Sequence, residues 1–280
     1  MLLAMDHGHA VAFDRHGRDG APAVVLLHGL SSSRATYDRV VRSLDEHVAS
    51  GSIQVVNADL RGHGDSSHAP PDRYDAASYA GDVAALIEHV DAGAVLVVGH
   101  SLGGVVACAL AASHPRLVAR LLLEDPPLFE GNDARRASSP VAAFFPVFVD
   151  SVRALQARHA DLDEYEQLLR GTMAPDQVRS RAEALSRWDP ATMEAAISGA
   201  MWRTFDPTAP LACPVTVLRA DPAVGAVCSE ADEAAFRVGN PQVGFVCVEG
   251  SSHRIHDEPT SSAYLYHLEA AVRPFASRPR

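Results

Sequence analysis

Short apolar runs recur along the chain, and longer stretches with helical spacing separate them. The runs that predict strands are Val24–Leu27, Ile53–Ala58, Ala94–Val98, Val118–Leu123, Val215–Leu218 and Gly244–Val248. Continuous apolar runs of this length are typical of strands that are buried on both faces of a parallel sheet. Their alternation with helical stretches predicts an α/β fold, a mostly parallel sheet flanked by helices.

The strand pattern stops between Pro127 and about Pro210, where the spacing of apolar residues predicts helices. These are Val141–Leu155, Leu162–Leu169, Pro175–Leu185 and Ala191–Met201. We therefore expect a helical lid at residues 127–210, inserted into an α/β core made of residues 1–126 and 211–280. A last helix over Ser262–Val272 is expected to close the core.

Composition and charge narrow the possible partners. Of the 280 residues, 47% are hydrophobic and 21% are charged, which is typical of a globular protein. The net charge is −11 and the chain contains no Lys, so nucleic acids and anionic membranes are unfavourable partners. No apolar run approaches the roughly 18 residues of a membrane-spanning helix, and the N-terminus lacks the pattern of a secretion signal. We expect a cytoplasmic monomer or homodimer that acts on a small molecule.

The cysteines give no sign of a disulfide framework or a metal site. Cys108, Cys213, Cys228 and Cys247 are far apart, with no CxxC pair. The simplest interpretation is a set of free, mostly buried thiols. We expect neither a metal nor another cofactor.

A candidate nucleophile follows the strand that ends near Val98. The sequence Gly99-His100-Ser101-Leu102-Gly103 joins this apolar strand to a stretch of small residues with helical spacing. In that context the G-x-S-x-G pattern predicts a tight turn that exposes the hydroxyl of Ser101. The turn also places Ser101 at a helix N-terminus, where negative charge on an oxygen is stabilised.

A serine hydroxyl needs a base to accept its proton, and fourteen histidines compete for this role. His253 has the most suitable position because it follows the last strand in a Gly-Ser-Ser-His turn. His256 is the second candidate, with a supporting or capping role favoured for it. His28, His63 and His100 lie inside loop motifs and are expected to shape the site through hydrogen bonds rather than to act as bases.

Two carboxylates could orient the histidine. Glu124 ends the strand Val118–Leu123, and Asp221 follows the strand Val215–Leu218. Either could hold the imidazole tautomer and stabilise the imidazolium.

The remaining predicted residues would stabilise or contact the substrate. Main-chain N–H groups of Leu30 and Leu102 are the candidates for an oxyanion hole. The candidate substrate contacts are His28, Gly29, His100 and the lid aromatics Phe144, Phe148, Trp188 and Trp202. For each lid aromatic, packing within the lid is the favoured alternative.

The chain resembles the α/β-hydrolase superfamily from Val24 to about Val272. The matching motifs are His28-Gly29, the segment Asp59–Ser66, the Gly-His-Ser-Leu-Gly-Gly turn and the late Gly-Ser-Ser-His. The resemblance implies an eight-stranded sheet, a lid after strand six and a triad in the order serine, acid, histidine.

The acid is the point at which the chain departs from the usual pattern. The family loop after strand seven reads Gly-x-x-Asp, whereas Asp221 directly follows the strand here. Some branches carry the acid at the end of strand six instead, which Glu124-Asp125-Pro126 resembles. The resemblance therefore favours Glu124 as the catalytic acid and a structural role for Asp125.

These features predict a serine hydrolase that cleaves a carboxylic ester or lactone through an acyl-enzyme on Ser101. The aromatic, Met-containing lid suggests a small to medium apolar substrate. Dehalogenase and epoxide hydrolase mechanisms need an Asp nucleophile and are excluded. A C–C bond hydrolase that acts on a diketone-like substrate, and a non-hydrolytic ligand-binding protein or lyase, are the alternatives.

Overall fold

The computed structural model describes residues 1–5, 8–128, 140–257 and 261–277, with the side chains of residues 140–145 outside this description. Its sheet has eight strands in the order β1-β2-β4-β3-β5-β6-β7-β8. The strands are β1 Leu2–Ala4, β2 Ala10–His16, β3 Ala23–Leu27, β4 Gln54–Ala58, β5 Val95–His100, β6 Val118–Glu124, β7 Val215–Ala220 and β8 Gly244–Val248.

The six strands β4-β3-β5-β6-β7-β8 are parallel to one another, and β2 pairs in the antiparallel direction with both β1 and β4. All six predicted strands are present, with ends within two residues of the prediction. The short apolar runs identified the buried centre of the sheet, where β3, β4 and β5 are buried along their whole length. The fold predicted from the sequence is confirmed.

Helices cover both faces of the sheet. They are α1 Asp38–Ser43, α2 Asp45–Ala49, α3 Ala76–His89, α4 Leu102–Ser113, α5 Pro140–Ala157, α6 Leu162–Leu169, α7 Pro175–Arg187, α8 Ala191–Ile197, α9 Glu230–Gly239 and α10 Ser262–Ala276. Because side chains alternate along a strand, Val25 and Leu27 pack in one hydrophobic layer, and Val24 and Leu26 pack in the other. None of the helices in the described ranges is long and apolar enough to cross a bilayer.

Helices α5 to α8 occupy the chain between β6 and β7, and they contact loops at the carboxyl ends of the strands. The Asp189 N–H donates to the Gly62 carbonyl (2.8 Å), and the indole N–H of Trp202 donates to the Pro127 carbonyl (3.1 Å). The predicted helix Ala191–Met201 is interrupted because Gly199 has φ +81°, so a 3₁₀ turn forms its last part. The lid boundaries at 127 and 210 remain a prediction.

Candidate active site

Ser101 lies on a strained turn between β5 and α4. Its φ is +51° and its ψ is −115°, a backbone conformation that a residue other than glycine adopts at an energetic cost. The Ser101 N–H donates to the Glu124 carbonyl on the neighbouring strand (2.9 Å), which fixes the turn to the sheet. The hydroxyl therefore projects from the carboxyl edge of the sheet at the first turn of a helix.

Two glycines allow this turn to pack tightly. A Cβ on Gly103 would lie 2.0 Å from the Leu27 carbonyl oxygen, and a Cβ on Gly99 would lie 2.4 Å from the Gly103 carbonyl oxygen. Real Cβ atoms do not approach backbone so closely. The first and last glycines of the motif are thus required by close contact between α4, β5 and β3.

A buried carboxylate orients His253. The Nδ1 atom of His253 lies 2.7 Å from Oδ2 of Asp125, and the Asp125 side chain is fully buried. The same carboxylate accepts hydrogen bonds from the main-chain N–H groups of Ala220 (3.2 Å), Val227 (2.8 Å) and Cys228 (3.2 Å). Four donors therefore hold the carboxylate in place beneath the imidazole.

This geometry corrects the sequence prediction of the acid. Glu124 lies against His256 instead, accepting from its Nδ1 (2.8 and 2.9 Å) and from its main-chain N–H (2.9 Å). Asp221 accepts from the N–H group of Ala223 in its own loop and from that of Gly250 in the loop after β8. Neither Glu124 nor Asp221 contacts the His253 ring.

The backbone explains why Asp125 takes this position. His100 and Glu124 are partners in the β5–β6 register, so Ser101 and Asp125 leave adjacent strands at the same level. Asp125 has φ +41°, which directs its side chain away from the continuation of the strand. Aspartate tolerates this left-handed region better than most residues. The prediction assigned Asp125 a structural role because the sequence does not show this change in backbone direction.

His100 connects the serine turn to the His253 loop. Its Nε2 lies 3.0 Å from the His253 carbonyl oxygen, and the two rings are 4.7 Å apart. In the described part of the chain no hydrogen bond joins the Ser101 hydroxyl to Nε2 of His253. Such bonds are often long in unliganded enzymes and tighten when substrate binds.

The predicted oxyanion donors lie beside the nucleophile. A Cβ on Gly29 would be 3.2 Å from Cβ of Ser101 and 2.6 Å from Nδ1 of His100, so the loop before Leu30 packs directly on the serine turn. Among the described residues, neither the Leu30 N–H nor the Leu102 N–H has a hydrogen-bond partner. Both are available to a developing oxyanion.

His28 and His63 hold loops in place. The Nε2 of His28 accepts from the Leu60 N–H (3.0 Å), and the Nε2 of His63 accepts from the Ser31 N–H (3.1 Å). Burial lowers the pKa of His28 to about 4 and that of His63 to about 3, so both are neutral at pH 7. The His28 ring has no exposed surface and both of its nitrogens are engaged, so it does not provide the substrate contact predicted for it.

The lid aromatics pack within the lid and against the strand ends. Trp188 is fully buried, donates to the Thr192 hydroxyl (2.6 Å) and lies 6.3 Å from the ring of Phe148. Trp202 is only 6% exposed. The Phe144 side chain is outside the described residues. The packing alternative is therefore observed for Trp188.

In the described ranges no three His, Cys, Asp or Glu side chains form a group that could hold a metal ion.

Comparisons with known proteins identify the family to which this fold belongs. Residues 22–212 match the alpha/beta hydrolase fold family. Lipase LipV of Mycobacterium tuberculosis is 36% identical over 141 residues, which are 50% of this chain and 51% of the lipase. An sn-1-specific diacylglycerol lipase of Mus musculus is 35% identical over 104 residues, 37% of this chain and 32% of that protein. The chain thus spans about half or less of the length of these curated relatives.

Solved structures share the fold over nearly the whole chain. An E-2-(acetamidomethylene)succinate hydrolase has a TM-score of 0.74 at 22% identity, covering 98% of both chains. A marine microorganism esterase has a TM-score of 0.75 at 22% identity, covering 92% of this chain and 98% of its own. With the serine turn and the eight-stranded sheet, these matches lead to one conclusion: the chain belongs to the alpha/beta hydrolase fold family.

Proposed function

We propose that this protein is a serine hydrolase that cleaves carboxylic esters, with Ser101, His253 and Asp125 as its catalytic triad. The observation that carries the proposal is the 2.7 Å contact between Asp125 and His253, beside a serine on a strained turn. A buried carboxylate on Nδ1 leaves Nε2 unprotonated and available to accept the serine proton.

The reaction proceeds in two balanced steps. The Ser101 Oγ attacks the carbonyl carbon while His253 takes the hydroxyl proton, and the N–H groups of Leu30 and Leu102 stabilise the oxyanion. The bond to the alcohol then breaks, and His253 returns the proton to the leaving oxygen. Water then attacks the carbonyl carbon of the acyl-enzyme and passes a proton to His253. The bond between this carbon and Ser101 Oγ breaks, His253 returns the proton to Oγ, and the carboxylic acid is released.

Lipases and esterases recur among the relatives, which supports ester cleavage as the reaction class. A lactone is an internal ester and would use the same groups. Trp188, one of the lid aromatics expected to contact an apolar substrate, is buried and packs within the lid instead. The substrate class therefore has to be inferred from the charges around the site.

The test is hydrolysis of p-nitrophenyl butyrate by the purified protein and by Ser101→Ala. The variant should lose turnover to the level of the uncatalysed reaction while keeping its circular dichroism spectrum. Ser113→Ala is the matched control, because Ser113 is an exposed serine at the other end of α4. Equal turnover by Ser101→Ala and by the wild type would refute the proposal.

A further inference from the structure

An arginine without a carboxylate partner lies beside the proposed oxyanion hole. Arg181 is on α7, and its Nη2 donates to the Ser31 hydroxyl (2.7 Å), one residue after Leu30. Its Nε is buried and has no hydrogen-bond partner. In the described ranges no acidic side chain forms an ion pair with it. Buried donors normally have hydrogen-bond partners, so the buried, unpartnered Nε of Arg181 marks a position at which an anion can bind.

The surroundings of Arg181 add positive charge. Burial and the nearby charge of Arg254 lower the pKa of Arg181 to about 9, which still leaves it cationic at pH 7. Asp257 is the one acidic group that acts on Arg181 in the opposite direction. That carboxylate also lies 3.9 Å from Nε of Arg254 and 3.6 Å from Nε2 of His256. Asp257 therefore acts on both Arg181 and Arg254, while His256 is paired more closely with Glu124.

A cavity of about 180 Å³ adjoins these cations, and Arg39 and Arg42 also contribute to its wall. The acidic wall residues are Asp38, Asp176 and Asp257, against four arginines. Ser101, His253 and Asp125 are not among its wall residues. Two wall residues connect the cavity to the site: Arg254 directly follows His253 in the sequence, and Arg181 contacts Ser31, the residue after Leu30. In a chain of net charge −11, this local excess of positive charge is contrary to the overall balance.

We propose that Arg181 and Arg254 bind a carboxylate of the substrate, so that the preferred substrate is an ester that carries a free carboxylate. Guanidinium groups bind carboxylates through short, charge-assisted hydrogen bonds, and the planar fork of arginine suits this geometry. The bound carboxylate fills the unsatisfied position at Nε of Arg181. The ester carbonyl of the same substrate must then reach Ser101, whose turn packs against Gly29, two residues before Ser31. This inference rests on the proposed ester hydrolysis.

The experiment compares matched esters with and without the negative charge. In the first pair, monomethyl glutarate has a free carboxylate on the acyl side and dimethyl glutarate has none. In the second pair, O-acetylglycolate has a free carboxylate on the alcohol side and its methyl ester has none. Release of acid is followed in a pH-stat at pH 7.5. In at least one pair the wild type should show a kcat/KM at least about tenfold higher for the anionic ester, the effect expected of a charge-assisted hydrogen bond.

Arg181→Gln should lower the ratio of anionic to neutral kcat/KM by about ten- to a hundredfold, mainly through KM. Arg254→Gln is the second variant and should lower the same ratio. Arg179→Gln is the control, because Arg179 lies on the same helix but is 56% exposed and is paired with Glu166. It should leave the ratio unchanged.

The outcomes separate the two proposals. Neutral esters cleaved through Ser101 with no preference for the anionic member of either pair would overturn this inference alone. A preference that survives in both Arg181→Gln and Arg254→Gln would also overturn it. If no ester is cleaved, or if Ser101→Ala retains full activity, the proposed function itself fails.

Discussion

Two variants, Asp125→Asn and Glu124→Gln, each remove one negative charge and so test which carboxylate supports catalysis. In Asp125→Asn the amide oxygen, in the position of Oδ1, can still accept from the main-chain N–H groups of Ala220 and Cys228, while the NH₂ group takes the position of Oδ2 and the bond from Val227 is lost. The amide NH₂ then faces Nδ1 of His253, which is 2.7 Å away in the wild type. Nδ1 must accept this bond, so the proton moves to Nε2, where it blocks proton transfer from Ser101.

The expected loss is large for Asp125→Asn and small for Glu124→Gln. A wrong tautomer in a serine triad costs about 10⁴ in kcat, which corresponds to about 5 kcal/mol of transition-state stabilisation. Glu124→Gln keeps an acceptor for His256 and leaves the Asp125–His253 pair intact. We expect it to lower kcat by less than about tenfold and to cost about 1–3 kcal/mol of folding free energy.

The assay is kcat for p-nitrophenyl butyrate together with urea unfolding of each variant. Asp221→Asn serves as a control, because Asp221 accepts from the main-chain N–H groups of Ala223 and Gly250 without contacting the His253 ring, and an asparagine oxygen keeps an acceptor there. It should retain full turnover. The reasoning would be refuted if Asp125→Asn kept more than a tenth of wild-type kcat, or if Glu124→Gln lost as much as Asp125→Asn.

Three further predictions concern the stability of the fold that holds the site. Gly103→Ala should lower the free energy of unfolding by at least about 3 kcal/mol, because its Cβ would meet the backbone of β3. Gly81 lies in open space on α3, so Gly81→Ala should raise the free energy of unfolding by up to about 1 kcal/mol. Urea denaturation compares the two variants, and equal effects would contradict the close packing of Gly103. Burial lowers the pKa of His28 from about 6.5 in the unfolded chain to about 4 in the folded protein. The contribution of His28 to stability should therefore be complete above pH 6.5 and fall by roughly 3 kcal/mol towards pH 4. Urea titrations across this pH range should show a flatter dependence for His28→Gln. Trp188→Ala should cost about 3–5 kcal/mol by opening a cavity among α5, α7 and α8, and a thermal midpoint equal to that of the wild type would contradict this.

The sequence predicted most of the fold because the central strands are buried on both faces. Such strands are continuous apolar runs, and the turn residues that follow them mark the carboxyl edge of the sheet. Strands β1 and β2 were implied only by the family resemblance, because they are short or partly exposed and lack that signal. Ser101 was identified because its turn has strict steric requirements that appear as glycines.

The acid and the arginine site depend on features that a sequence does not display. Glu124 and Asp125 are adjacent, and the choice between them is decided by the positive φ of Asp125, which changes the direction of its side chain. Arg181 is one of several arginines in a helical segment. Only the folded chain shows that it is buried without a carboxylate partner.

The most direct test of the account is the covalent labelling of the nucleophile. The protein is incubated with a fluorophosphonate and digested, and the modified peptide is identified by mass spectrometry. The account predicts a single adduct on Ser101, and much slower labelling in Asp125→Asn, because the activated hydroxyl depends on the His253 tautomer. An unlabelled Ser101, or equal labelling rates in the wild type and Asp125→Asn, would contradict it.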